Sequence, residues 1–399
     1  MSLSYRFSTL CIVLVEVGQT VVVDIAHVEV DYIYVMGNLE FDDSVAMSFT
    51  TKGIQVGADA GYQFQWSARR RRGTDMIRSR RNVQDESTNA TVSVGSSENP
   101  WPCNRNFEFV LKGDHTEVVG AHDGSLVVGA KSIAVFHGLE MYGCPVETTS
   151  TLLQNSVFTG ETSITLVSPP TGWKVGGKIV IAPSGVMYTE FDEVTIDSIN
   201  GAVVTFTPAL NFNHFGKADT TQTYANGDVL NQGAEVIYTT RNVKIGSQGG
   251  NTESDWNYGI GGRVVVNKMS TYDAEGVEKE HFGYAQISNV EFSEMGQLGF
   301  SSVLDPRYAL TFYRTAGVAG SNRPTLKDSF VKNCAFNNGY WTAIGSFFTD
   351  DLEISNNNVF NTLNGGVHVY GSDDNIVDNN AMIYSAFRNF GTAPKFGHF

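Results

Sequence analysis

Apolar positions along this chain fall in short runs separated by turn residues, without the three-to-four spacing of an amphipathic helix. Tyr32-Ile-Tyr-Val35, Phe107-Glu-Phe-Val-Leu111, Gly177-Lys-Ile-Val-Ile181 and Glu193-Val-Thr-Ile-Asp197 are rich in β-branched and aromatic residues. Gly, Pro or Asn stands beside each. Such runs predict many short strands and an all-β fold.

The last third of the chain repeats. Segments beginning at Ile287, Val331, Ile354 and Ile376 start 44, 23 and 22 residues apart, the first gap being two periods. Each opens on an apolar residue, carries another five residues later, and has Asn or Asp third: Asn289, Asn333, Asn356 and Asp378. A second strand keeps the same phase at 343–348 and 367–370. An acidic pair follows each time, Asp350-Asp351 and Asp373-Asp374. A period of this length with two or three strands fits one coil of a parallel β-helix. Stacked coils put like turn positions about 4.8 Å apart, so the four Asn/Asp residues are expected to form a structural ladder.

Composition fills in the setting. The 399 residues include 41 Gly, 41% are hydrophobic, and only 17% are charged. The net charge of −15 opposes nucleic acid and, on average, anionic polysaccharide. No apolar run reaches the roughly 18 residues a spanning helix needs, so any membrane attachment is expected through regions outside this chain. The run Phe7 to Val15 resembles a short signal peptide, but Glu16 ends it without a cleavage pattern, which favours a buried strand. Seven Arg between Arg69 and Arg81 predict an exposed, disordered insertion over 66–94 with trypsin-sensitive bonds. The cysteines are Cys11, Cys103, Cys144 and Cys334, with no zinc spacing. A Cys103–Cys144 disulfide would suit a secreted protein, and four thiols remain the alternative. Asn89 opens the one glycosylation sequon.

Several segments carry a resemblance to a known family. Asp305-Pro-Arg-Tyr308, Ala285-Gln-Ile-Ser-Asn-Val-Glu-Phe-Ser-Glu-Met-Gly-Gln297, Asn333-Cys-Ala-Phe-Asn-Asn-Gly339 and Thr342-Ala-Ile-Gly-Ser-Phe347 resemble the β-helix of the fibrocystin and fibrocystin-L family. Gly18-Gln-Thr-Val-Val-Val-Asp24, Gly37-Asn-Leu-Glu-Phe41 and Ile133-Ala-Val-Phe-His-Gly-Leu-Glu-Met-Tyr-Gly143 resemble its G8 (eight-glycine) domain. The resemblance implies a G8-like domain over 1–155, a connecting β segment over 156–240, and a right-handed parallel β-helix over 241–399. It also implies an extracellular or cell-surface glycoprotein, receptor-like or coat-forming, whose parent is membrane-anchored. The chain starts inside the domain's first strands, which points to an incomplete gene product. A hyaluronan-handling branch carries His-Phe-His where this chain has Thr311-Phe312-Tyr313. Losing both histidines removes the natural metal ligands or proton carriers.

Candidate chemistry is correspondingly thin. Glycoside cleavage needs two carboxylates on one face, about 5–9.5 Å apart. Asp350, Asp351, Asp373 and Asp374 are the candidates, but their recurrence with the coil makes them turn residues first. The same carboxylates could hold calcium; no other cofactor or metal is expected. The histidines, His115, His122 and His137 among them, show no metal spacing. Tyr340 and Trp341 would serve either sugar stacking or packing. The residues therefore favour a non-enzymatic extracellular binding or structural module, with a glycan or protein ligand. A carbohydrate-active β-helix that binds or cleaves an anionic polysaccharide such as hyaluronan is the alternative.

Overall fold

The computed structural model describes residues 12–57, 90–113, 131–248, 259–272, 277–297, 307–315 and 329–386. Three parallel sheets run its length, and the chain visits them in rotation, so that each round is one coil. The first sheet stacks Ile12–Val15, Tyr32–Val35, Gly53–Val56, Ser132–Val135, Arg263–Tyr272, Leu310–Tyr313, Ile344–Phe347 and Val367–Tyr370. The second stacks Thr20–Val23, Asn38–Phe41, Thr91–Val94, Gly138–Tyr142, Tyr284–Ser288, Phe330–Lys332, Glu353–Ser355 and Ile376–Asp378. The third stacks His27–Glu29, Met47–Thr51, Phe107–Leu111, Val243–Ser247, Val290–Ser293, Ala335–Gly339, Asn358–Leu363 and Ala381–Ala386. Eight coils of a parallel β-helix result among the described residues.

Alternation along each strand fills the interior. Ile33, Ile54, Ile133, Val264, Leu310 and Ile344 share one inward column of the first sheet, each at most 3% exposed. Inward aromatics stack along the bore: the Phe292 and Phe336 rings lie parallel at 4.4 Å, close to the spacing of neighbouring strands. Nearer the start, Phe41, Phe49, Phe107, Phe109 and Trp101 pack edge to face. One continuous core therefore joins Val15 to Val359.

This differs from a G8 segment followed by a separate helix. Parallel stacking begins at Ile12–Val15, and residues on both sides of 156–240 belong to the same three sheets. What lies between is an insert at the second corner of the fourth coil. It is a six-stranded antiparallel sheet, ordered Ser150–Leu152, Glu235–Tyr238, Lys178–Ile181, Asp192–Asn200, Val203–Thr207, Ser163–Thr165. It has its own core around Leu153, Ile179, Val194 and Phe206. It lies on the outer face of the third sheet, where Val180 and Ile237 meet Phe360 and Ile383. Asn337 Nδ2 donates to Thr239 O at 2.8 Å, and Asn358 Nδ2 to Thr149 O at 2.7 Å and Tyr238 O at 2.9 Å. A disulfide joins Cys103, in the third coil, to Cys144 at the entrance of the insert. Cys334 is a buried thiol, pushed up to about 12 by desolvation.

The Arg-rich expectation needs trimming. Arg69–81 and Asn89 lie outside the described residues, but Thr91–Val94 is a strand of the second sheet with Val92 and Val94 fully buried. The expected insertion therefore does not take in 90–94, and the polar look of 91–94 comes from its outward Thr91 and Ser93.

Candidate functional site: the corner between the first and second sheets

The acidic pairs sit at one corner of the seventh and eighth coils, one above the other. Asp350 Oδ1 accepts from Asp373 N at 2.8 Å. Asp351 and Asp374 hold the same left-handed backbone, φ 56 and 55. Just beyond them Asn375 Oδ1 accepts from Leu352 N at 2.9 Å, while its Nδ2 donates to Ser346 Oγ and Thr349 O, both at 3.0 Å. Asp and Asn suit this position because a short polar side chain tolerates the left-handed region and bonds nearby backbone. Asp351, Asp373 and Asp374 remain exposed. Among the described residues no group of three or more His, Cys, Asp or Glu side chains converges on a metal-sized site.

At the next corner Asn289, Asn333 and Asn356 occupy equivalent places, with φ of 57, 55 and 56. The fourth member is Asn379, φ 50, and not Asp378. Ile354 pairs with Val377 and Ser355 with Asp378, so the eighth coil is offset by one from the sequence alignment. Asn379 Nδ2 accordingly donates to Asn356 Oδ1 at 2.6 Å, and Asp378 points outward and exposed. A deeper ladder runs alongside. Asn357, fully buried, accepts from Cys334 N at 2.9 Å and donates to Val331 O and Asn380 Oδ1, both at 2.9 Å.

The outer face of the first sheet is aromatic in these last coils. Gly345 has no side chain to block the Tyr308 ring, and a Cβ there would lie 2.3 Å from Tyr308 Cδ2. Tyr308 Oη, its pKa raised by burial, meets His368 Nδ1 at 2.6 Å. The buried Phe347 and the half-buried Phe348 pack with the exposed His368 and Tyr370, ring centroids 5.3–6.5 Å apart. Thr311 and Tyr313 stand in the same outward columns, two coils above His368 and Tyr370, and both are fully buried. Tyr340 and Trp341 are 7% exposed and serve packing. Below the corner, the second sheet carries a groove of ≈ 780 Å³ lined by Gln286, Phe330, Lys332, Glu353 and Ile376, with Asp351 and Asp374 at its lip. Lys332 Nζ, 2.7 Å from Glu353, holds that carboxyl below its ordinary range.

Two buried polar clusters that sequence patterns did not reveal are structural. In the insert, His214 bridges Ala182 O and Asp192 Oδ2 at 2.9 Å each. Burial pushes the Asp192 carboxyl up, but bonds from His214, Asn211 and Phe212 outweigh it and hold the pKa low. Under the insert, Arg241 donates to Asn333 O, Tyr238 O and Thr240 O at 2.8–2.9 Å, and Glu291 accepts its backbone N–H at 3.0 Å. Burial pulls Arg241 down and pushes Glu291 up. Both clusters join residues distant in sequence and fasten loops.

Residues 11–154 match the G8 domain family. Human fibrocystin-L is 29% identical over 292 residues, covering 71% of this chain and 6% of that protein. A G8 domain-containing protein of Dictyostelium discoideum is 28% identical over 306 residues, covering 75% of this chain and 18% of its own length. The chain thus spans a small part of these relatives. Among solved structures, the Gp54 tailspike of Acinetobacter baumannii bacteriophage AP22 is similar over 87% of this chain and 41% of that one, at 12% identity and a TM-score of 0.20. The G8 match takes in the first three coils, two strands of the fourth, and the first strand of the insert. Residues 11–154 thus carry a G8 domain match, and the chain is similar to fibrocystin-L and to G8 domain-containing proteins well beyond it.

Proposed function

We propose that this chain is a non-enzymatic extracellular binding module of a fibrocystin-like cell-surface receptor or coat protein. One observation carries the reading: the carboxylates that could have formed a cleavage pair belong to stacked turns, with Asp350 bonded to the backbone of the next coil. A cleavage site needs one carboxyl as acid and another as base or nucleophile across a sugar. The buried Thr311 and Tyr313, where the hyaluronan-handling branch carries histidines, support the same reading. A Thr hydroxyl barely ionises, and Tyr titrates near 10. The disulfide suits an oxidising compartment. The test is size analysis of long hyaluronan incubated with the purified protein, with and without calcium. Intact polymer is expected. Shortening that disappears in an Asp373→Asn, Asp374→Asn variant would establish the enzymatic alternative.

A further inference from the structure

We propose that the aromatic strip on the first sheet, with the carboxylates at its edge, is a binding site for an uncharged glycan. The inference rests on the binding-module reading and names its ligand class. The strip is built rather than incidental. Gly345 leaves the slot that Tyr308 fills, and Gly371, at φ 59, leaves room for the Phe348 ring, whose Cδ1 would lie 2.8 Å from a Cβ there. These two absences let the buried Tyr308 ring and the half-buried Phe348 ring pack beside His368 and Tyr370, the members that reach solvent. His368 is exposed and Tyr370 is 47% exposed, although both stand over well-packed neighbours. Tyr370 meets Phe348 edge-on at 5.5 Å, and Arg314 lies over the Phe348 ring at 5.6 Å.

The chemistry selects a pyranose. One face of such a ring presents C–H bonds of slight positive charge, which complement the negative face of an aromatic ring. Its rim presents hydroxyl donors. Asp373 and Asp374 follow Tyr370 after two residues and are exposed, so they can accept from those hydroxyls in charge-assisted bonds. Charge then decides between glycans. Among the described residues Arg314 is the one permanently cationic side chain stacked on the rings of the strip, against four carboxylates at the corner and a net charge of −15. A polyanion such as hyaluronan meets net repulsion there, whereas a neutral chain does not.

The experiment titrates the purified protein with cellohexaose, mannohexaose and N-acetylchitohexaose as neutral probes and hyaluronan hexasaccharide as the anionic one, reading amide shifts or heat. At least one neutral probe is expected to saturate with Kd on the order of 0.1–1 mM. Tyr370→Ala should weaken it at least about tenfold, and Tyr370→Phe, which keeps the ring, should not. Asp373→Asn with Asp374→Asn, tolerated by the left-handed turn, should weaken it severalfold. No saturation by any neutral probe at about 10 mM overturns the proposal. So does binding indifferent to both Tyr370→Ala and the Asp pair. Tighter binding of the hyaluronan hexasaccharide, lost with Tyr370→Ala, overturns the ligand class while leaving the binding-module reading intact. Cleavage of long hyaluronan would instead defeat that reading, and the hexasaccharide titration answers separately for the strip.

Discussion

Replacing Asn357 by Ala tests whether buried amides, more than the visible corner asparagines, hold successive coils together. Asn357 is fully buried and makes three side-chain hydrogen bonds across coils six, seven and eight. Truncation leaves the Cys334 N–H without its acceptor in a site closed to water, which costs about 1–3 kcal/mol. Loss of the donors to Val331 O and Asn380 Oδ1 adds about 0.5–1.5 kcal/mol each. The expected total is about 2–6 kcal/mol. Because a solenoid opens coil by coil, the loss is local first and is capped by the opening free energy of the last coils. Hydrogen exchange is therefore the assay, with urea denaturation beside it. The amide of Cys334 should exchange at least about tenfold faster, since 1.4 kcal/mol is already a factor of ten. Asn356→Gly keeps the left-handed turn and should stay within about 1 kcal/mol. Asp378→Ala, exposed and outside the ladder, should stay within about 0.5 kcal/mol. If Asn357→Ala leaves exchange unchanged, or Asp378→Ala costs as much, the amide-ladder reasoning and the register behind it are wrong.

Other expectations follow from the insert and its fastening. Asp192 has its pKa lowered in the folded state, so its stabilisation is full above its unfolded value, about 3.9, and fades as pH falls through the lower folded value. Melting followed from about pH 6 down to pH 2 should show a steeper acid loss for the parent than for Asp192→Asn. Phe360→Ala removes a buried ring that meets Phe191 edge-on at 5.3 Å, and should cost about 3–5 kcal/mol and expose the insert to proteolysis before the coils. Reducing Cys103–Cys144, which are 41 residues apart, should cost about 4 kcal/mol by loop entropy, read as a lower denaturation midpoint.

The last two coils were legible because their turns are short, whereas the 44 residues from Ile287 to Val331 are one coil and not two periods, since those two residues pair directly. Ile344 stacks on Val367 and Glu353 on Ile376 one period later, so the repeat stands out in the letters. The earlier coils obey the same geometry invisibly. Gly53 stacks on Ser132 although the whole of 54–131 intervenes, and Ser132 on Arg263 although the insert does. Excursions at corners cost little, since loop closure grows only with the logarithm of length. They erase periodicity without disturbing the stack. The slip at Asp378 has a different origin. Ile376 and Val377 are both apolar, so either could match Ile354, and only the pairing selects Val377. A one-residue shift reverses which side chains face inward. The aromatic strip was illegible for a third reason: it depends on what Gly345 and Gly371 lack and on Tyr308 meeting His368 across two coils.

Where such a molecule can act follows from its construction. The bore is filled with aliphatic and aromatic side chains, so no ligand enters it. The third sheet's outer face, over the later coils, is occupied by the insert, which uses Asn337, Asn358, Phe360 and Ile383 to hold it. Interaction in those coils therefore concentrates on the outer faces of the first and second sheets and the corner between them. Each of the first sheet's outward columns places successive side chains one strand spacing apart, roughly 4.8 Å. In the last three coils only His368 and Tyr370 of the eighth reach solvent in those columns, because Thr311, Tyr313 and Phe347 above them are buried, so a glycan would dock at the eighth coil rather than along the stack. Asp351 and Asp374 mark that corner on adjacent coils, with Tyr370 and Phe348 to one side and Phe330 and Ile376 to the other. A substitution there reaches solvent without crossing the core, so recognition can vary while the stack that displays it stays fixed.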